Sequence, residues 1–300
     1  EYAGNLRDYY QYVRDNDLYL TYVIINPQGN RSKEPSHQRE DLPLRVVDED
    51  AQGITVRGAK MLGTGSIMAN EVFVAHLQPL RPGEEKYAVC FAVPMNTPGL
   101  RILSRKSFEA HAVSNFDNPI SSRLDENDAL IFFDDVKVPR ERIFVNQNTD
   151  MCRAQFHDTP GHVFQNYQSQ LRLLVKLQFL VGVARKICET IGTISLPPVQ
   201  SALGKLASDA AAVEAFVYAM EVAGSQRGPY FVPHRHMLYS AQVFTQELYP
   251  TFINTIRDLA GGSLIMLPSS VQDFGSEPLH KIIELTQAIK KLGERELPRL

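Results

Sequence analysis

Cysteine is scarce in this chain. The three present, Cys90, Cys152 and Cys188, are odd in number, far apart and form no CxxC pair. That excludes a disulfide scaffold and fits a reduced, cytoplasmic protein. Excess charge is missing too: a formal net charge of −3 and a sequence pI near 6.3 leave no electrostatic footprint for nucleic acid or an anionic membrane surface. No uninterrupted apolar run reaches the roughly 18 residues a membrane span needs. The most apolar stretch, Leu171–Ala184, is broken by Arg172, Lys176 and Gln178. Nothing at the amino terminus resembles a signal peptide. GxSxG, HExxH and P-loop motifs are absent, so hydrolase and NTPase readings lack support. His157 and His162 flank Asp158 and Pro160, and His234 stands two residues from His236. Neither group has a further ligand at usable spacing, so no metal is expected.

What is there is a core. With 300 residues and 44% apolar content the chain can bury one large domain or two ordinary ones. Leu6, Tyr9, Tyr10 and Val13 recur at helical spacing, which predicts a helix end over residues 1–17. From 18 to 138 the pattern turns to strands, at Leu20–Ile25, Leu44–Val47, Ile54–Leu62, Glu71–His76, Tyr87–Val93 and Leu130–Phe133, separated by turns such as Asn26-Pro27, Asp48–Gly53 and Arg81-Pro82-Gly83. Asp134 and Asp135 follow the last run and read as solvating carboxylates at a strand end. Pro139 cannot donate to a ladder and is expected to stop the sheet there. Beyond about 150 the period is helical again. Gln168–Ile191 is apolar on most faces, Pro197-Pro198 breaks it, and Ser201–Ala223 reads as an Ala-rich helix. A Gly/Pro loop (Gly224–Pro233) and a third helix near His236–Leu259 follow. The expected fold class is α+β, a β-domain at 18–140 followed by a helical bundle at 151–300.

The run Phe133-Asp-Asp-Val-Lys-Val-Pro-Arg-Glu-Arg-Ile-Phe144 resembles the junction between β-domain and helical bundle in flavoproteins of the acyl-CoA dehydrogenase fold. Three more segments narrow the resemblance: Leu20-Thr-Tyr-Val-Ile-Ile-Asn-Pro-Gln28 with Arg31, Gly58-Ala-Lys-Met-Leu-Gly-Thr64, and Asp258-Leu-Ala-Gly-Gly-Ser-Leu-Ile-Met-Leu-Pro-Ser269. In order and spacing the four resemble the 4-hydroxyphenylacetate 3-monooxygenase family, the oxygenase component of two-component FAD-dependent aromatic hydroxylases. The resemblance implies a β-barrel domain on a helical bundle. It also implies that residues 1–17 are the end of a mostly missing amino-terminal helical domain and that the bundle is incomplete.

The resemblance further implies an enzyme that takes FADH2 from a separate flavin reductase, forms a C4a-hydroperoxyflavin with O2 and hydroxylates a small phenolic substrate ortho to its hydroxyl. It would act as a homo-oligomer, a dimer of dimers. The protein would hold the isoalloxazine, keep water out and orient the phenol. Tyr22, Val23 and Ile24, the loop Gln28, Gly29, Asn30 and Arg31, and Thr64 are expected at the cofactor, the Arg as a fork for ring oxygens or phosphate. Gly63 and Gly65 are expected to leave room for a flat ring beside the Thr64 hydroxyl. Ala260, Gly261, Gly262 and Ser263 would meet the pyrophosphate across a subunit interface. Tyr22, Leu77 and Gln78 would contact substrate, the last two on a hinged lid containing Pro79, Pro82 and Gly83. At Tyr22 the family usually has His; a phenol is a poor general base near neutral pH, so either the substrate is oriented without that base or the substrate differs. Tyr22 and Thr64 are the expected catalytic residues.

Other readings compete at each position. The Asn-Pro segment could be a plain turn, Tyr22 a packed strand residue, and the Gly pair a helix C-cap. An acyl-CoA-directed flavoenzyme of the same fold and a non-catalytic truncated remnant also stand as alternatives. The related 4-hydroxybutyryl-CoA dehydratases hold an iron–sulfur cluster through Cys and His, and at position 169, where His-x6-Cys spacing from His162 would need Cys, the chain has Ser169.

Overall fold

A computed structural model describes residues 1–33, 37–39 and 41–287. It divides into two compact units, Glu1–Thr159 and Pro160–Leu300. In the first, helix α1 (Tyr2–Asp15) precedes strands β1 (Leu20–Val23), β2 (Arg45–Asp50), β3 (Gly53–Met61), β4 (Glu71–Val74), β5 (Val89–Pro94), β6 (Leu100–Ser104), β7 (Ala129–Pro139) and β8 (Ile143–Asn146), and helix α2 (Thr149–His157) follows. The strands form two four-stranded sheets in the orders β1-β4-β5-β8 and β2-β3-β7-β6. One core joins them, with Val23, Val72, Val74, Val89 and Phe91 from the first sheet against Ile54, Val56, Ile131, Phe133, Val136 and Val138 from the second. Phe91 and Phe133 meet edge to face at 5.7 Å between centroids. The barrel expected from the sequence is thus two sheets around a shared core, linked by a bridge between Ile25 and Met61.

The sequence under-read the strand text after residue 94. Strands β6 and β8 were not anticipated, and β7 is far longer than Leu130–Phe133. Pro139 does end β7, opposite Gly53. It does not end the β-structure, because β8 follows and pairs with β5 in the other sheet. The two aspartates are a bulge: Phe133 faces Gly58 and Val136 faces Val56, leaving Asp134 and Asp135 opposite Arg57 alone. Asp135 takes φ +52° there. Their carboxylates are ion-paired, Asp134 with Arg101 at 2.7 Å and Asp135 with Arg57 at 2.6 Å. Gly58, at φ +122°, answers the same distortion on β3. A Cβ there would lie 2.4 Å from the Pro43 carbonyl oxygen, so only glycine fits.

In the second unit α3 (Gly161–Thr190), α4 (Pro197–Val222) and α5 (Arg235–Ala260) pack around Leu177, Ala184, Leu206, Val213 and Phe252, and the short α6 (Gln272–Gly275) and α7 (Glu277–Thr286) follow. Pro197 opens α4 at its first turn, where a missing N–H costs nothing. The Gly/Pro loop expected at 224–233 contains a small hairpin, β9 (Ser225–Arg227) with β10 (Tyr230–Val232). Residues 288–300, which the sequence assigned to the bundle, lie outside the described residues. No described helix is long and apolar enough to cross a membrane.

Candidate active site

β1 is the edge strand from which the site is built. Thr21 and Val23 turn inward and Tyr22 turns out, about half exposed, as the two-residue period dictates. The Thr21 hydroxyl donates to the Thr64 carbonyl at 2.8 Å, tying β1 to the turn after β3. That turn is pinned from the other side, since Gly63 N–H donates to Ala129 O at 2.9 Å and Gly65 N–H to Asn127 O at 2.7 Å. Leu62 leads into it at φ +68°, a left-handed conformation that costs a non-glycine residue roughly 1–2 kcal/mol.

The Thr64 hydroxyl is spoken for in one direction. It donates to Asp128 Oδ1 at 2.6 Å, and the other oxygen of Asp128 lies 3.6 Å from Arg105 Nε. With its proton directed at a carboxylate held by a guanidinium, Thr64 presents lone pairs outward and acts as an acceptor. The sequence reading assigns Asp128 no role. The spacing of 64 residues gives no local signal for the pairing. The expectation about the glycines needs correction. A Cβ on Gly65 would meet the Tyr19 hydroxyl at 2.4 Å, and one on Gly63 would meet Ile131 Cδ1 at 3.0 Å. These glycines admit the protein's own side chains, not a ring.

Beyond β1 the chain forms a cleft of about 270 Å³ lined by Asn26, Gln28, Arg31, Lys33, Gln38 and Gln78, with Pro27, Asn30 and Pro43. Asn26 Nδ2 donates to Gln78 Oε1 at 3.1 Å, so the loop after β1 and the segment after β4 meet there. Asn26 is buried, and its Oδ1 has no hydrogen-bond partner among the described residues. An orphaned buried acceptor costs about 1–3 kcal/mol, which a ligand N–H would recover. The loop is braced internally, with Gln38 Nε2 donating to Asn30 O at 2.5 Å and Ser32 N–H to Asn30 Oδ1 at 3.0 Å. Gln28, Gly29, Asn30 and Arg31 are exposed on it. Val23 and Ile24, expected at a cofactor, face the interior instead: Val23 sits in the inter-sheet core and Ile24 against Cys90 and its neighbours. Val23 is an inward residue of β1, and Ile24, just past the strand's end, is half-buried against a second cluster.

Leu77 and Gln78 are half-buried, and the connection to β5 exposes only Pro79, Arg81, Pro82, Gly83, Glu85 and Lys86. Glu84 is buried and accepts from Arg81 N–H at 2.8 Å, so the expected lid is anchored from within. In the second unit Gly261 caps α5 at φ +58° and begins a one-turn 3-10 helix, Gly261–Leu264, that also holds Gly262 and the backbone of Ser263. A Cβ on Gly261 or Gly262 would meet nothing within 4 Å, and Asn254, Arg257 and Asp258 line the same depression. Ala260, by contrast, is buried in the bundle. Among the described residues no three His, Cys, Asp or Glu side chains converge as a metal requires. His162 instead lies 2.7 Å from the Tyr239 hydroxyl.

Comparison with known proteins places this arrangement. Its fold is shared with an archaeal 4-hydroxybutyryl-CoA dehydratase from N. maritimus (19% identity, TM-score 0.85, covering 97% of this chain and 58% of that one) and, more distantly, with an acyl-CoA dehydrogenase from Geobacillus kaustophilus (18% identity, TM-score 0.54, covering 82% and 59%). Residues 1–145 match the family described as 4-hydroxyphenylacetate 3-hydroxylase N terminal and residues 152–294 its C-terminal counterpart; the chain belongs to that family. It is 36% identical over 286 residues to the oxygenase component of 4-hydroxyphenylacetate 3-monooxygenase from Thermus thermophilus, covering 95% of this chain and 59% of that one. It is 32% identical to the oxygenase component of 4-nitrophenol 2-monooxygenase from a Rhodococcus species, covering 94% and 54%. A solved oxygenase component of 4-hydroxyphenylacetate 3-monooxygenase complexed with FAD and 4-hydroxyphenylacetate superposes with a TM-score of 0.87 at 35% identity, covering 95% of this chain and 60% of that chain. The chain therefore spans somewhat over half the length of the relatives it matches.

Proposed function

We propose that this chain carries the flavin-binding half of a two-component monooxygenase, which receives FADH2 from a separate reductase and uses O2 to hydroxylate a small phenol ortho to its hydroxyl. The observation that carries this reading is the oriented Thr64 hydroxyl. Held by Asp128 and Arg105, it offers an acceptor beside the strand that bears Tyr22. A reduced isoalloxazine bears a ring N–H that such an acceptor fits, and Asn26 Oδ1, without a partner among the described residues, suits a second ring donor. Bound reduced flavin would supply the activation of O2 and transfer of one oxygen atom to the ring.

The remaining work falls to the chain's own residues. Arg31 and Lys33 line the cleft as cations for the flavin's polar rim or phosphates, and Asn26 and Gln78 hold its two walls together. Gly261 and Gly262 leave open backbone for the pyrophosphate, with Arg257 at hand, in an assembly where a neighbouring copy completes the site. Tyr22 presents its phenol to the substrate as a hydrogen-bonding group rather than a base. An acyl-CoA-directed enzyme would need a carboxylate free to take a proton, and Asp128 is already engaged by Thr64 and Arg105.

The test is substrate-dependent oxygen uptake with catechol formation when the full-length protein receives reduced FAD. Release of hydrogen peroxide as the sole product across a panel of phenols would sink the proposal. Thr64→Val is expected to cut catechol formed per O2 by tenfold or more while oxygen consumption persists. Thr64→Ser, which keeps the acceptor, should retain most of the coupling. Equal coupling in both variants would remove Thr64 from the mechanism.

A further inference from the structure

Lys60 on β3 is 1% exposed. A lysine this buried is nearly always met by a carboxylate. Lys60 is met by something else. Its Nζ lies 3.4 Å from the Ile24 carbonyl oxygen and 3.4 Å from His76 Nδ1, and among the described residues the thiols of Cys90 on β5 and Cys152 on α2 are the other titratable groups whose charge bears on it. Burial drives Lys60 down to about 7. Burial, and then the charge of Lys60, drives His76 down to about 3. Burial pushes Cys90 well up and Cys152 up to about 11. Of these four groups Lys60 alone changes charge between pH 6 and 8.

The two atoms it touches have a particular place in the chain. Ile24 stands at the exit of β1, two residues before Asn26, and His76 stands past the end of β4, two residues before Gln78. Asn26 and Gln78 both line the cleft and hydrogen-bond to each other at 3.1 Å. Lys60 thus sits behind the cleft and bridges the roots of both its walls. An ammonium there donates charge-assisted hydrogen bonds, roughly twice as strong as those of a neutral amine.

We propose that Lys60 is a positioning residue of the flavin cleft: by bridging the Ile24 carbonyl and His76 it fixes the strand exits that carry Asn26 and Gln78, and its protonation sets how tightly the cleft holds flavin. The inference rests on the flavin reading given above, and its test separates the two. Oxidised FAD is titrated by fluorescence quenching into wild type, Lys60→Met and Lys60→Arg between pH 6 and 8.5, each checked for folding by its melting temperature. Wild type should bind about tenfold more tightly at pH 6 than at pH 8.5. Lys60→Met should bind weakly with no such step, and Lys60→Arg should hold its affinity at pH 8.5. His76→Asn, which keeps a polar atom opposite the amine, should preserve the step, and His76→Leu should shrink it. A step that survives in Lys60→Met overturns the proposal.

A second readout needs no flavin. Amide hydrogen exchange at Asn26 and Gln78, corrected for intrinsic rates, should be at least tenfold faster in Lys60→Met than in wild type at pH 6. Wild type that binds no FAD at any pH would remove the flavin reading, and exchange would then decide the matter alone. Unchanged protection in Lys60→Met would refute a positioning role.

Discussion

Replacing Glu71 with alanine is expected to destabilise the β-rich unit by about 3–5 kcal/mol, the usual cost of stranding one member of a buried ion pair. Glu71 opens β4 with its side chain almost wholly buried, and one of its oxygens accepts from Arg142 at 2.7 Å and from the Tyr9 hydroxyl at 2.9 Å. The Arg142 guanidinium also lies over the rings of Tyr9 and Tyr12, 5.0 and 4.7 Å from their centroids. One carboxylate therefore clamps α1, β4 and the 3-10 turn before β8 together. Burial, then the adjacent carboxylate, pushes the Tyr9 phenol far above its usual range, so it stays a donor at any working pH. Glu71→Gln keeps an acceptor for Tyr9 and should lose distinctly less. Urea unfolding followed by far-UV circular dichroism measures both, and a Glu71→Ala loss under about 1 kcal/mol would show the clamp to be decorative.

The second large effect has the opposite sign. Lys60→Met should raise stability at pH 6–7 by about 1–4 kcal/mol, because an apolar side chain of similar length replaces an ammonium that burial penalises. The pH dependence follows from the shift. Lys60 falls from an ordinary 10.5 to about 7 in the folded chain, so between those values the unfolded state binds the extra proton. Wild-type stability contributed by this residue is lowest below about pH 7 and recovers as pH rises toward 10.5. The advantage of Lys60→Met should shrink across the same window. His76 acts at the other end: held neutral down to about 3 against an ordinary 6.5, it contributes stability that is lost as pH falls from 6.5 toward 3. Melting temperatures at pH 6, 8 and 10 test the pair, and a pH-independent gap between wild type and Lys60→Met would contradict the burial of a charge.

A substitution that stabilises the fold while loosening the cleft is what a functional residue in a hostile environment predicts. Leu62 belongs to the same pattern, a strained left-handed residue immediately before the turn that carries Thr64. Both departures from local preference lie on β3 or at its end.

The helices of the second unit were legible because a 3.6-residue period survives over many turns, and their ends differed mainly where Pro197 and Gly161 could start a helix earlier than the apolar pattern did. β1, β3, β4 and β5 were legible as apolar runs between turns. β6 and β8 were not: the exposed Leu100–Ser104 carries no inward-facing stripe, and the four residues of Ile143–Asn146 follow a proline that does end a strand. Of the site, Tyr22, Thr64, the Asn26–Arg31 loop and the Gly261-Gly262 turn could be marked by family resemblance, since each is a short, contiguous text. Contiguity is what made those elements and those motifs legible. Asp128 behind Thr64, the meeting of Asn26 with Gln78, and the isolation of Lys60 all join residues 16 to 64 positions apart in the chain. Only the closing of two sheets over one core decides such pairs, because it determines which polar groups lose their water and which neighbours are left to replace it.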